Sequence, residues 1–266
     1  MTTIAEILRG ARDEAQRRDF EVLIAHALDV GRAHLYAHGS DLLSSTQLHR
    51  LQGPLDAYRA GTPVAYVTGR REFWDLELDV SPAVLIPRPE TELLVELALE
   101  RLPPRARILD LGTGSAAIAL ALKHERGDCA VVATDASEPA LVAARHNAAK
   151  HAVDIELRLG SWYRVAGERF DVIVSNPPYI RSEDPHLDSL VSEPLIALEA
   201  GPDGLDALRV IVGGAPEHLV DGGWLLVEHG YDQGTAVRAL FACAGFAAIE
   251  TVRDGAAHER VTLGKR

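Results

Sequence analysis

From residue 91 onward, short apolar runs alternate with longer stretches of helical periodicity, and this alternation leaves few folds open. The apolar runs are 107–111, 130–135, 155–159, 170–175 and 223–229, and the helical stretches are 91–101, 115–125, 137–150, 205–219 and 232–243. Short continuous apolar runs read as strands covered on both faces. Helix-length connections between them imply a mostly parallel sheet with helices on both sides. The end of the chain departs from this pattern. Runs 247–252 and 258–263 are separated only by a short polar turn containing Gly255, so they pair antiparallel. The expected fold is therefore α/β, with a parallel sheet that ends in an antiparallel hairpin.

Residues 1–62 have a different character. Ile4, Ile7 and Leu8, then Phe20, Leu23, Ile24, Ala27 and Leu28, recur at helical spacing. Asp19 and Ser44 are the expected N-caps, and Gly53-Pro54 is expected to interrupt the helix through 45–60. This segment reads as a small helical domain. Residues 63–90 read as a linker with a short hairpin, because Leu76, Leu78 and Val80 alternate and Pro82, Pro87 and Pro89 stop regular structure. Residues 91–266 form the main domain.

Charge narrows the function classes. The net charge is −12; residues 1–75 carry 9 basic and 10 acidic side chains, and the remainder carries 18 and 29. A long nucleic-acid grip needs a basic face, so direct nucleic-acid binding is not expected. Cys129 and Cys243 have no paired spacing and sit among apolar residues, which predicts buried free thiols and no metal site. No run has the apolar length of a signal peptide or a membrane span, so the expectation is a cytoplasmic protein away from membranes.

Two motifs carry the chemistry. In RILDLGTGSAAIAL, Asp110 ends the first strand, and Gly112 and Gly114 let the backbone turn towards a ligand at a helix N-terminus. Asp135 ends the next strand, 23 residues after Gly112, where a carboxylate can accept both hydroxyls of an adenosine ribose. These features suit a dinucleotide as well as S-adenosylmethionine. The second motif separates the two. Asn176-Pro177-Pro178-Tyr179 follows the strand 170–175, which is expected beside the first strand and facing its loop. An amide nitrogen is a poor nucleophile because its lone pair is delocalised. The Asn176 side-chain oxygen and the Pro177 carbonyl can accept its two N–H bonds and favour an electron-rich nitrogen as a methyl group arrives. The prolines stiffen the turn and Tyr179 offers a ring for a planar group.

The chain closely resembles the HemK/PrmC family of peptide chain release factor glutamine methyltransferases. The resemblance runs through TPVAYVTGRREFW, SPAVLIPRPETE, ILDLGTGSAAIALAL, IVSNPPYI, LLVEHGYDQG and ERVTLGKR, and REFW with IPRPETE discriminates best. It implies a Rossmann-like, seven-stranded class I methyltransferase sheet behind a small N-terminal helical domain that recognises the substrate. It implies S-adenosylmethionine as the cofactor, and the glutamine of the Gly-Gly-Gln motif in class-1 release factors as the acceptor. By position, Gly112, Thr113, Gly114, Ser115, Ala116, Asp135, Trp162 and Asn176 would hold the cofactor. Asn176, Pro177, Pro178 and Tyr179 would hold the glutamine, with Asn176, Pro177 and Tyr179 catalytic.

There are two departures from the family pattern. Ala116 replaces a usual glycine, which is acceptable if it opens the helix with negative φ, and Ser161 replaces an acidic residue before Trp162, which predicts weaker cofactor binding. Trp162 covers an adenine ring or fills core. Arg88 approaches a ligand or makes a structural ion pair. Glu193 is expected to hold its own segment in place, and Glu228 and His229 are read as structural. A competing reading is N6-adenine methylation of DNA or RNA, since the same tetrapeptide can clasp a flipped base.

Overall fold

A computed structural model describes residues 2–266 of the chain. These divide into two compact units, residues 2–70 and 71–266. The first contains α1 (Ile4–Arg9), α2 (Glu14–Leu28), α3 (Arg32–Ala37), α4 (Ser45–Arg59) and α5 (Val64–Thr68). Its core is Ile4, Leu8, Phe20, Leu23, Ile24, Leu35, Leu51 and Leu55. Ser44 caps α4 through a reciprocal bond with Gln47, as its position predicts.

Two expectations fail here. Asp13, not Asp19, caps α2, and Asp19 lies inside the helix, where its carboxylate accepts from the Tyr58 hydroxyl at 2.7 Å and ties α2 to α4. Nor does Gly53-Pro54 break α4. Leu51 and Leu55 are both buried, one turn apart across Pro54, and this packing outweighs the lost backbone bond.

A hairpin of β1 (Arg70–Phe73) and β2 (Leu76–Asp79) precedes the sheet. Leu76 and Leu78 of β2 are buried, which is the alternation read from the sequence. The second unit then runs α6 (Glu92–Leu99), β3 (Arg107–Leu111), α7 (Ala117–Glu125), β4 (Ala130–Asp135) and α8 (Glu138–Lys150). It continues with β5 (Glu156–Leu159), β6 (Phe170–Ser175), α9 (Asp206–His218), β7 (Leu219–Glu228), α10 (Gly234–Cys243), β8 (Ala247–Arg253) and β9 (Glu259–Lys265). The seven-stranded sheet has the order β5-β4-β3-β6-β7-β9-β8. Strands β3 to β7 pair parallel, whereas β9 pairs antiparallel with both β7 and β8.

The two-residue period of the strands divides the core between the two faces. Ile108, Val172, Val174 and Leu226 pack against α6, α7 and α8 on one face. Leu109, Leu111, Ile173 and Val227 pack against α9 and α10 on the other. Strand order reverses between β3 and β6, and a crevice opens there beyond the strands' carboxyl ends. Cys129 is buried but Cys243 is exposed, contrary to expectation. It lies in the last turn of α10, beyond the buried face carrying Val237 and Phe241. Among the described residues, no helix is long and apolar enough to cross a membrane.

Candidate active site

The loop after β3 is shaped by backbone conformation. Gly112 and Gly114 have φ of +71° and +57°, which L side chains rarely adopt. A Cβ on Gly112 would meet the Trp162 ring at 3.5 Å, so that indole edge lies against the loop. Asp135 stitches the loop to the end of β4. One of its oxygens accepts from the Gly114 N–H at 2.9 Å and the other from Ser137 N–H at 2.8 Å. Ala116 has φ +66° and immediately precedes α7, so the condition of negative φ is not met. The chain needs the left-handed conformation here, and the buried alanine methyl adopts it.

These residues border a cavity of about 440 Å3, lined by Gly112, Gly114, Asp135, Trp162, Asn176 and Pro178 among others. That volume suits a nucleoside-sized ligand. Ser161 also lines it. Thr113, Ser115 and Ala116 do not line the cavity; all three are buried behind the loop. Thr113 donates to Asp110 at 2.6 Å, and the Ser115 carbonyl accepts from Asn147. Asp110 is fully buried and its Oδ1 has no hydrogen-bond partner among the described residues. Burial pushes its pKa up to about 7, with Asp135 adding to the rise and the Thr113 hydroxyl opposing it. The glycine turn, the Asp135 carboxylate at the end of β4 and the Trp162 ring beside them offer a nucleoside a close backbone approach, an acceptor and a flat apolar face.

A second cavity of about 490 Å3 lies on the other side of the tetrapeptide, lined by Arg88, Asn176, Pro177, Tyr179, Tyr231 and Arg260 among others. Asn176 lines both cavities, while Pro177 and Tyr179 face the second and Pro178 the first. Several bonds hold the turn rigid. Ser175 Oγ donates to the Leu111 carbonyl at 2.7 Å, joining the ends of β6 and β3. The Tyr179 and Ile180 N–H groups donate to Leu198 O, and Gln233 donates to Tyr179 O at 3.0 Å. Asn176 Nδ2 donates to Thr91 Oγ1 at 3.0 Å. Among the described residues, neither Asn176 Oδ1 nor the Pro177 carbonyl accepts a hydrogen bond. Two oxygen acceptors, one on Asn176 that lines both cavities and one on Pro177 beside it, therefore have no partner among the described residues.

Arg88 makes the structural ion pair, at 2.5 Å from Glu193. Glu193 also accepts from Ile86 N–H at 3.0 Å, so it does hold its segment against the strand-to-helix linker. His229 is buried between Thr262 and the Gly230 carbonyl, and burial lowers its pKa.

Residues 1–69 match the PrmC N-terminal domain family, and residues 89–201 match the methyltransferase small domain family. The release factor glutamine methyltransferase of Xylella fastidiosa (strain Temecula1) is 50% identical over 97% of this chain and 96% of its own length. That of Escherichia coli (strain K12) is 48% identical over 95% and 93%. This chain belongs to the release factor glutamine methyltransferase family. A solved methyltransferase from Pyrococcus furiosus superposes with a TM-score of 0.57 at 20% identity, over 80% of this chain and 96% of that one. At that identity it speaks for the fold alone, a class I methyltransferase sheet with the terminal antiparallel pair this family member carries.

The sequence reading did not single out Thr91; it placed Glu228 at a strand end near the crevice and took it as structural, and the structure buries it beside the clasp. Thr91 donates to Glu228 at 2.6 Å and accepts from Asn176. The available signal was a carboxylate closing the apolar run LLVE, at the carboxyl edge where ligands bind.

Proposed function

We propose that this chain transfers a methyl group from S-adenosylmethionine to the side-chain amide nitrogen of the glutamine in the Gly-Gly-Gln motif of class-1 release factors. The observation that carries this reading is the position of Asn176 in the wall between two cavities, with its side-chain oxygen and the neighbouring Pro177 carbonyl unused. When bound, the cofactor supplies an electrophilic methyl group on a sulfonium. Asp135 would hold the ribose, Gly112 and Gly114 would let the loop approach, and Trp162 would flank the adenine. Asn176 Oδ1 and Pro177 O would each accept one N–H of the substrate amide and aim the nitrogen's lone pair at the methyl carbon. The methyl group would pass to the nitrogen lone pair so held, the carbon–sulfur electron pair would stay with the sulfur, and the nitrogen's extra proton would go to solvent. Much of the catalysis is positioning.

The helical unit, residues 1–62 in the sequence division, would recognise the partner protein, and such a partner would place the reaction in the cytoplasm. The chain's net charge of −12 argues against a nucleic-acid acceptor. The test is labelled methyl transfer into a class-1 release factor, its Gly-Gly-Gln→Gly-Gly-Ala variant and bulk nucleic acid. Label is expected in the first alone. Label in the alanine variant or in nucleic acid would defeat the reading.

A further inference from the structure

Thr91 sits directly behind the clasp, in the 3-10 turn Pro89–Thr91 that leads into α6, and it is buried. Its hydroxyl donates to Glu228 Oε2 at 2.6 Å, while its oxygen accepts from Asn176 Nδ2 at 3.0 Å. Glu228 is the last residue of β7 and is only 1% exposed. Its other oxygen accepts from the Tyr179 hydroxyl at 3.3 Å. Two residues of the clasp are thus tied to one buried carboxylate, Asn176 through Thr91 and Tyr179 directly.

An ionised carboxylate has no proton to give, so it sets the direction of every bond in this chain. Thr91 commits its single O–H to Glu228 and can then only accept from Asn176. Asn176 must turn its NH2 inward, which leaves Oδ1 facing outward. A substrate amide nitrogen is a donor and needs that oxygen. We propose that Thr91 and Glu228 are positioning residues for methyl transfer. The carboxylate, acting through the Thr91 hydroxyl, locks the Asn176 amide with its oxygen towards the acceptor nitrogen and orients Tyr179. The proposal rests on a glutamine amide occupying the second cavity, and it gives Thr91 of the discriminating IPRPETE motif a chemical role.

The charged and polar groups facing Glu228 are Arg260 of β9, Glu90, Thr91 and Tyr179. Burial pushes its pKa up to about 7 and Glu90 adds to the rise, against the Thr91 and Tyr179 hydroxyls and Arg260. Once protonated, Glu228 can donate to the Thr91 oxygen. The Thr91 proton is then free to face Asn176, and the amide can turn over and present NH2 to a substrate NH2. Turnover therefore rises with pH through neutrality. Glu228→Gln can bond in either direction at any pH, so its turnover is lower and flat over about pH 6 to 8.

The experiment measures methyl transfer to a class-1 release factor by the full chain, with S-adenosylmethionine binding by calorimetry and thermal unfolding alongside. Thr91→Val is expected to lower kcat about tenfold or more, with KM for the release factor and Kd for S-adenosylmethionine within about twofold of wild type. Thr91→Ser, which keeps the hydroxyl, restores most of the loss. Wild-type kcat climbs across neutral pH and that of Glu228→Gln does not. Thr91→Val with near-wild-type kcat, Thr91→Ser as impaired as valine, or a loss that tracks cofactor binding would each overturn the proposal. So would identical pH profiles for wild type and Glu228→Gln, a comparison that stands even if the valine variant does not fold. A wild-type chain inert towards the release factor would overturn the glutamine reading itself, a result visible before any variant is compared.

Discussion

At the scale of single residues, two side chains carry the most information. Asn176 lines both cavities and offers an acceptor oxygen, and its replacement by alanine removes that oxygen together with the bond to Thr91. Turnover of Asn176→Ala is expected to fall by about a hundredfold or more in single-turnover methyl transfer, comparable with losing one preorganised hydrogen-bonding group; near-normal turnover would remove the clasp from the mechanism. Ala116 poses a question of balance. Its left-handed backbone, φ +66°, costs about 1–2 kcal/mol that glycine would not incur. Glycine would in turn lose roughly 0.4–1 kcal/mol through the freer unfolded chain and about 0.8 kcal/mol from the buried methyl. These nearly cancel, so Ala116→Gly should change unfolding free energy by less than about 1 kcal/mol. Ala116→Val, β-branched at the same φ, should cost clearly more. Denaturant unfolding of both variants checks the comparison, and a large gain for glycine would show the strain to be dominant. The positive φ could not be read from sequence because an alanine after Thr-Gly-Ser looks like ordinary helix, and only the loop's geometry decides its conformation.

At the scale of elements, strand–helix alternation made every strand and helix of the large sheet legible, because continuous apolar runs and helical periods report burial directly. Boundaries moved where packing overrode local signals. β7 begins at Leu219, before the Gly222-Gly223 pair that marked the expected start, because Leu219 pairs with Phe170 across an irregular register. Pro54 stays inside α4 for the burial reason given above. The donor loop and clasp were legible as motifs, whereas the hydrogen bonds behind them depend on contacts such as Thr91 to Glu228, 137 residues apart. The end of β7 also yields a stability prediction. Glu228 titrates near 7 in the folded protein against an ordinary 4.5, so folding favours its protonated form. Its contribution to stability is fully present below pH 4.5 and is lost as pH rises through about 7. Glu228→Gln should therefore be more stable than wild type at pH 8, by up to about 3 kcal/mol, with the gap narrowing towards pH 5. Urea unfolding at both pH values tests this, and an equal gap at both would refute it.

At the scale of the whole molecule, each unit has its own apolar core, so each segment's fold can be read from its own pattern. What the helical unit does is not legible in those patterns, since apolar periodicity reports burial and not what a surface binds. If it recognises the partner, deleting residues 1–69 should leave S-adenosylmethionine binding in place while transfer to the full-length release factor falls about tenfold or more. Unchanged transfer by a folded truncation would assign recognition to the larger unit.

Leu85, Asn176 and Ala197 line both cavities, so the two sites adjoin along a shared rim. If each site has its own mouth, the spent nucleoside would depart while the modified protein is still seated. S-adenosylhomocysteine would act as a rival to the donor alone, and raising the release factor concentration would not relieve that inhibition.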